Sequence, residues 1–373
     1  MELRVIRNCE RGHYQKLHGR ILQIIEEAGQ TADFTEKRYY LYDVDNGTRT
    51  ELLPGLHKYD FIKINDCIMD SEYAYFVIME ESNRETTHFS LIRYHIDSGE
   101  YSIIYQWEDH LYEYEEDKKC TIFIADINYI LIQFEYLQEN EDSEYEYILY
   151  DISTKKSTPV LMDFILSDGL DVILPYSKNM CVLKTGKANG NNNLYLINIK
   201  EMISDMLLNK DDIYREKLIE TASDESVSFI KNYKNYIMIK KKSRESDNEE
   251  IIFYNYLTKE AKVCKSTSGI MGYIAKDMPY VVYNKKDSTE VYDVDSKKTA
   301  ASFDSNVDVR YICDGFLVAA RHSQKGLLKK ECDYTYVYTF NEENTGASKA
   351  VFSEKAEYIE SIYIDENLYV FLQ

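Results

Sequence analysis

A tyrosine-anchored hairpin signature recurs along this chain, and no other feature restricts its fold as strongly. Tyr42-Asp43-Val44-Asp45-Asn46-Gly47 leads into Thr50-Glu51-Leu52-Leu53, and Tyr94-His95-Ile96-Asp97-Ser98-Gly99 leads into Tyr101-Ser102-Ile103-Ile104. Further copies read Tyr150-Asp151-Ile152-Ser153-Thr154-Lys155, Tyr254-Asn255-Tyr256-Leu257-Thr258-Lys259 and Tyr292-Asp293-Val294-Asp295-Ser296-Lys297. Ile197-Asn198-Ile199-Lys200 and Tyr338-Thr339-Phe340-Asn341 are weaker versions. In each, an aromatic or aliphatic anchor ends a strand, a short polar side chain bonds its own backbone, and Ser, Thr, Asn, Gly or Lys takes the tight turn. The seven anchors run from position 42 to 338, so hairpins recur about every 49 residues, close to the length of a four-stranded repeat unit.

A second pair of apolar runs lies between successive hairpins. Phe61-Ile62-Lys63-Ile64 with Tyr75-Phe76-Val77-Ile78 is one pair, and Gly272-Tyr273-Ile274 with Tyr280-Val281-Val282-Tyr283 is another. Each unit therefore offers four short strands, and the aromatic, period-two runs are what half-buried strands require. A last pair, Ile359–Ile364 with Leu368–Leu372, has no hairpin after it, while only the partial run Arg20–Ile25 precedes the first hairpin. C-terminal strands completing the N-terminal unit would use both leftovers and remove exposed sheet edges. Residues 201–218 break the pattern. Apolar side chains at 202, 203, 206 and 207 have helical spacing, which predicts a short helix near 201–210 inserted in the fourth hairpin.

The Tyr-Asp-Val-Asp-Ser-Lys type of repeat resembles the degenerate blades of the broad β-propeller superfamily that includes WD-repeat, quinoprotein-like and prolyl-oligopeptidase-type propellers. The resemblance covers nearly the whole chain and concerns architecture only. The Gly-His and Trp-Asp marks of WD repeats are missing, as are the double glycines of Kelch repeats and the Asp-box of sialidases. It implies an all-β, seven-bladed β-propeller of four-stranded antiparallel blades, with residues 1–373 as a single domain. No functional family is implied, because one fold hosts many chemistries.

Composition narrows the function classes. The formal charge of −21 is spread along the chain and repels nucleic acid and anionic lipid, so neither partner is expected. Seven cysteines without a C-x-x-C pair, and a charge-interrupted N-terminus, fit a reduced, cytoplasmic setting. No stretch reaches the roughly 18 apolar residues of a membrane span. A soluble monomer is expected.

The candidate chemistry is sparse. Asp43-Val44-Asp45-Asn46-Gly47 has calcium-loop residues but strand flanks and no distal glutamate at ligand spacing, so it reads as a turn. The seven histidines show no zinc-ligand spacing, and no G-x-S-x-G elbow occurs. No metal or cofactor is expected. A ligand site, if there is one, is expected on the loop face beside the central channel. Leu56-His57-Lys58-Tyr59 and Trp107-Glu108-Asp109-His110-Leu111-Tyr112 combine rings with polar tips there. Trp107, His110, His57, Tyr59 and Tyr112 are the candidate ligand-binding residues, although a tryptophan near a strand end also packs between blades. The expected function is that of a non-catalytic intracellular binding or scaffold protein, with a protein or a small polar molecule on the loop face. The alternative is a propeller enzyme on a sugar or other small polar substrate, with channel carboxylates as acid and base.

Overall fold

The computed structural model describes residues 2–17, 20–28, 35–44, 46–54, 62–70, 72–81, 86–110, 119–126, 128–137, 143–161, 170–177, 180–185, 193–210, 216–219, 221–222, 224–233, 235–243, 245–246, 248–266, 269–275, 278–321, 334–340 and 350–373. Strand β1 (Glu2–Ile6) begins the chain, followed by β2 (His13–Leu17), β3 (Arg20–Ala28), β4 (Thr35–Asp43) and β5 (Thr48–Glu51). Next come β6 (Ile62–Met69), β7 (Tyr73–Glu81), β8 (Thr86–His95) and β9 (Tyr101–His110). Then follow β10 (Lys119–Asp126), β11 (Tyr129–Leu137), β12 (Ser143–Asp151) and β13 (Lys156–Val160). The next set is β14 (Leu170–Ser177), β15 (Met180–Thr185), β16 (Asn193–Asn198), helix α1 (Ile199–Leu207) and β17 (Glu216–Ile219). After it come β18 (Glu225–Tyr233), β19 (Tyr236–Ser243), β20 (Glu249–Asn255) and β21 (Glu260–Ser266). They are followed by β22 (Ile270–Ala275), β23 (Met278–Asn284), β24 (Ser288–Asp293) and β25 (Lys298–Asp304). The last are β26 (Val307–Cys313), β27 (Gly315–Arg321), β28 (Tyr334–Phe340), β29 (Ala350–Glu354), β30 (Tyr358–Ile364) and β31 (Asn367–Leu372).

From β2 onward, each consecutive group of four strands forms one sheet in chain order, giving seven four-stranded sheets from β2 to β29. The strand pairs are antiparallel, as short connections dictate. This is the meander of a β-propeller blade, and all seven hairpins read from the sequence are the third and fourth strands of these sheets. The eighth sheet has three strands in the order β1-β31-β30, with β1 parallel to β31. The expected partnership of the C-terminal strands therefore differs from the one observed. The sheet of the first hairpin takes β2 and β3 from its own neighbourhood, and β30–β31 pair with β1 instead. The segment His13-Tyr14-Gln15-Lys16-Leu17 holds only two nonpolar residues, too few to read as a strand, yet it pairs with β3 across a short hairpin and completes that sheet without the C-terminal strands.

Second and third strands carry the core because a sheet interior is covered on both faces. Phe76, Val77, Ile130, Leu131, Ile237, Met238, Val281 and Val318 are fully buried. The hairpin turns follow one local rule. Asp151 Oδ1 accepts from Ser153 and Thr154 N–H, Asn255 Oδ1 from Leu257 and Thr258, and Asp293 Oδ1 from Asp295 and Ser296. Four residues after the polar residue the backbone turns left-handed, at Lys155 (φ 56°), Lys259 (φ 60°) and Lys297 (φ 57°). Gly47 (φ 66°) and Gly99 (φ 71°) hold the same turn position in the first two hairpins, where glycine carries no Cβ penalty.

The chain divides into two compact units: residues 1–25, 44–47 and 225–373, and residues 26–43 and 48–224. In the second, α1 interrupts the fourth hairpin as its spacing predicts. Asn198 Oδ1 caps it by accepting from Lys200 and Glu201 N–H at 3.0 and 3.3 Å. Its buried face, Ile199, Met202, Ile203 and Met206, packs with Phe123, Leu149 and Val160. In the first unit, β22 lies so close to its neighbouring sheet that a Cβ on Gly272 would sit 2.7 Å from both Ile251 Cγ2 and Met238 Sδ. Only glycine fits that approach without displacing the core.

Candidate functional site

Trp107 lies inside strand β9 and not in a loop. Its ring stacks on Phe89 at 5.3 Å with a 2° interplanar angle, and meets Tyr105 and Phe134 at 5.5 Å. Phe134 belongs to β11, so the tryptophan fills the seam between two neighbouring sheets, and its Nε1 is buried without a hydrogen-bond partner. Tyr150 joins this seam with its hydroxyl donating to the Ile104 carbonyl at 2.7 Å. His110 is the last residue of β9, opposite Thr86 of β8. His57, Tyr59 and Tyr112 lie outside the described residues.

A different constellation collects where the first strands of successive sheets meet. In the unit that holds residues 225–373, β22 approaches β26, β26 approaches β30, and β30 approaches β2. These strands bring together Tyr273, Asp308, Arg310, Tyr311, Tyr358, Glu360, Ser361 and His13, residues up to 348 positions apart. Arg310 pairs with Asp308 at 2.9 Å, and its guanidinium stands 6.0 Å from the centre of the Tyr358 ring. The Tyr273 hydroxyl donates to the Val309 carbonyl at 3.1 Å. Glu360 is half-buried, and one of its oxygens accepts only the backbone N–H of Ser361, at 3.1 Å. It forms no salt bridge among the described residues.

The electrostatics follow from this crowding. Burial raises the Glu360 carboxyl above the usual glutamate range, against weaker opposing effects of the Ser361 N–H and His13. Burial, reinforced by the Glu360 charge, also pushes the Tyr273, Tyr311 and Tyr358 phenols well above the ordinary tyrosine value. All three are neutral donors at neutral pH. The Tyr358 hydroxyl is buried with no hydrogen-bond partner, and so is Ser361 Oγ beside it; the two are neighbours without closing a bond. Arg310 Nε is a third such atom; buried polar atoms are rarely left unpaired, and three in one cluster mark it off from its surroundings. His13, exposed to solvent, stands on the open side.

A second buried glutamate in the same unit has the opposite character. Glu249 accepts the Ile270 N–H at 3.0 Å and pairs with Lys240 at 3.0 Å and Lys242 at 3.8 Å. Burial alone would raise its carboxyl, but these partners together hold it below the usual range. An open groove of about 630 Å³ runs beside β21, past Lys262, Cys264, Lys265, Tyr283 and Tyr292. Two of its cations are engaged, Lys262 with Asp295 and Lys265 with Glu250, while Lys297 lines it without an ion pair among the described residues. Among the described residues no group of three or more His, Cys, Asp or Glu is placed to hold a metal ion, and no described helix is long and apolar enough to cross a membrane.

No protein-family model matches the sequence, and comparison with curated proteins finds no match. Solved structures do match. A prolyl endopeptidase superposes with a TM-score of 0.53 at 12% identity, over 94% of this chain and 51% of the enzyme. Dipeptidyl peptidase 4 of Porphyromonas gingivalis gives 0.50 at 10% identity, over 95% of this chain and 55% of that one. The β-propeller domain of the trilobed protease from Pyrococcus furiosus gives 0.44 at 10% identity, over 90% of this chain and 99% of the domain. The chain thus spans about half the length of the two peptidases. At these identities the likeness establishes the β-propeller fold alone.

Proposed function

We propose that this protein is a single-domain β-propeller binding module, and that the first-strand cluster around Glu360 and Tyr358 captures a small polar ligand. The observation that carries this reading is the buried, unpartnered Tyr358 hydroxyl next to a carboxyl that forms no salt bridge among the described residues. Leaving such groups unpaired costs about 1–3 kcal/mol each, a cost that a ligand able to pair with them removes. First strands are also the ones a propeller turns toward its axis, where concave sites form. The test is a thermal-shift screen of small polar molecules, cationic, neutral and anionic, on the wild type and on Glu360→Gln and Tyr358→Phe variants. A stabilising compound whose effect is lost in the variants supports the module. If no compound distinguishes wild type from variants, the reading fails.

A second reading is favoured by one feature, the raised carboxyl of Glu360 beside His13. A carboxyl whose hold on its proton is strengthened by burial is suited to general-acid work. On this reading the chain is a propeller enzyme acting on a sugar or other small polar substrate. Turnover of a glycoside or uronide panel that disappears in Glu360→Gln would favour the enzyme, and binding without turnover favours the module.

A further inference from the structure

The net charge of the chain is −21, so cations are concentrated around it. Within the first-strand cluster, Glu360 has no salt-bridge partner among the described residues, and Arg310 pairs through Nη2 with Asp308 at 2.9 Å while its Nε is buried without a hydrogen-bond partner. Arg310 also stands 6.0 Å from the centre of the Tyr358 ring, within the range of a cation–π contact. The Tyr311 ring adds a second aromatic surface from β26. An anionic ligand would face an unpaired carboxylate here. A neutral polyol would satisfy hydroxyls but leave the desolvated charge of Glu360 uncompensated.

We infer that the ligand of this cluster is an organic cation bearing an ammonium group, held among the Tyr311 and Tyr358 rings with Glu360 as its counter-charge. The inference rests on reading the cluster as a ligand site. The ammonium group donates to Glu360 and to a lone pair of the Tyr358 oxygen, while its carbon-bound hydrogens lie against ring faces. Binding favours the ionised form of Glu360 over the protonated one, so any proton the carboxyl holds is released. The titratable and charged groups around that carboxyl are His13 from β2, Tyr273 from β22, the Arg310–Asp308 pair and Tyr311 from β26, and Tyr358 from its own strand.

The experiment is isothermal calorimetry on the full chain with n-butylammonium chloride, sodium butyrate and erythritol, in two buffers of different ionisation heat. It is repeated on Glu360→Gln and Tyr358→Leu, with melting curves to confirm folding. The expected result is saturable butylammonium binding with proton release, weakened about tenfold or more by Glu360→Gln, as loss of a counter-charge implies, and several-fold by Tyr358→Leu. Butylammonium binding that survives Glu360→Gln unchanged overturns the inference. Binding of erythritol or butyrate that depends on Glu360 and Tyr358, without butylammonium binding, overturns the cation and leaves the ligand site standing. If none of the three probes gives a variant-sensitive signal, both readings fall. Should Tyr358→Leu fail to fold, the conservative Glu360→Gln comparison decides the matter.

Discussion

Glu249 and Glu360 are glutamates withdrawn from water within one unit of the molecule, and their surroundings are built to opposite ends. Glu249 is enclosed by a backbone N–H and two lysine ammonium groups, so its charge ties the start of β20 to β22 and β19. Glu360 accepts one backbone N–H, faces three neutral phenols and has no ion pair among the described residues. Burial of a carboxylate is therefore not in itself the sign of a site. The sign is burial without the partners that would make it structural.

The largest effect that sharpens this contrast is expected at Glu249. Glu249→Gln should cost about 2 kcal/mol in urea unfolding, less than a fully buried pair because Lys240 is partly exposed. The lowered carboxyl adds a pH signature. Its stabilisation is complete above the unfolded glutamate value and is lost as pH falls through the lower folded value. Wild type should therefore lose stability in acid more steeply than the variant, and equal slopes would break the contrast.

Glu360→Gln should behave in the reverse sense. A carboxyl raised in the folded state makes stability fall as pH rises from the unfolded glutamate value through the folded one. The variant lacks that fall, so it should match wild type in acid and be the more stable of the two above this window. A variant less stable than wild type at neutral pH would mean that Glu360 has partners after all. The smallest effects come from removing single hydroxyls. Tyr150→Phe deletes a bond to the Ile104 carbonyl and should cost about 1 kcal/mol. Tyr358→Phe deletes an unpartnered hydroxyl and should instead stabilise the fold by about 1 kcal/mol, the low end of what leaving such a group unpaired costs. Matched losses at the two tyrosines would remove the distinction between packing and site.

The hairpins were legible because each is local. A polar residue, two backbone N–H groups and a left-handed fourth position are specified within five residues, as at Asp151 to Lys155. Helix α1 was legible for the same reason. Strand β1 was harder to read because Glu2–Ile6 is held by β31, distant in sequence, and β2 because His13–Leu17 has little apolar density of its own. Trp107 was placed near a loop because its neighbours Glu108, Asp109 and His110 are polar, yet β9 runs to His110 through its pairing with β8. The Glu360 cluster was not legible, since its members come from four first strands and its tyrosines look like the many that only pack. One signal was present: Glu360 and Arg310 are charges set within apolar strands, in Tyr358-Ile359-Glu360 and Val309-Arg310-Tyr311, where a sheet residue with no solvent duty is usually uncharged.

The parallel pairing of β1 with β31 has a kinetic consequence. Glu2 N–H bonds to Asn367 Oδ1 across 365 residues of sequence, and loop-closure entropy makes such contacts slow to form. During synthesis β1 emerges well before β31, while the β-meanders between them can collapse locally. Until the two strands meet, β31 offers an unpaired edge to any other chain. This pairing is thus the step exposed to domain exchange between molecules, and dilution should favour the monomeric product over swapped dimers.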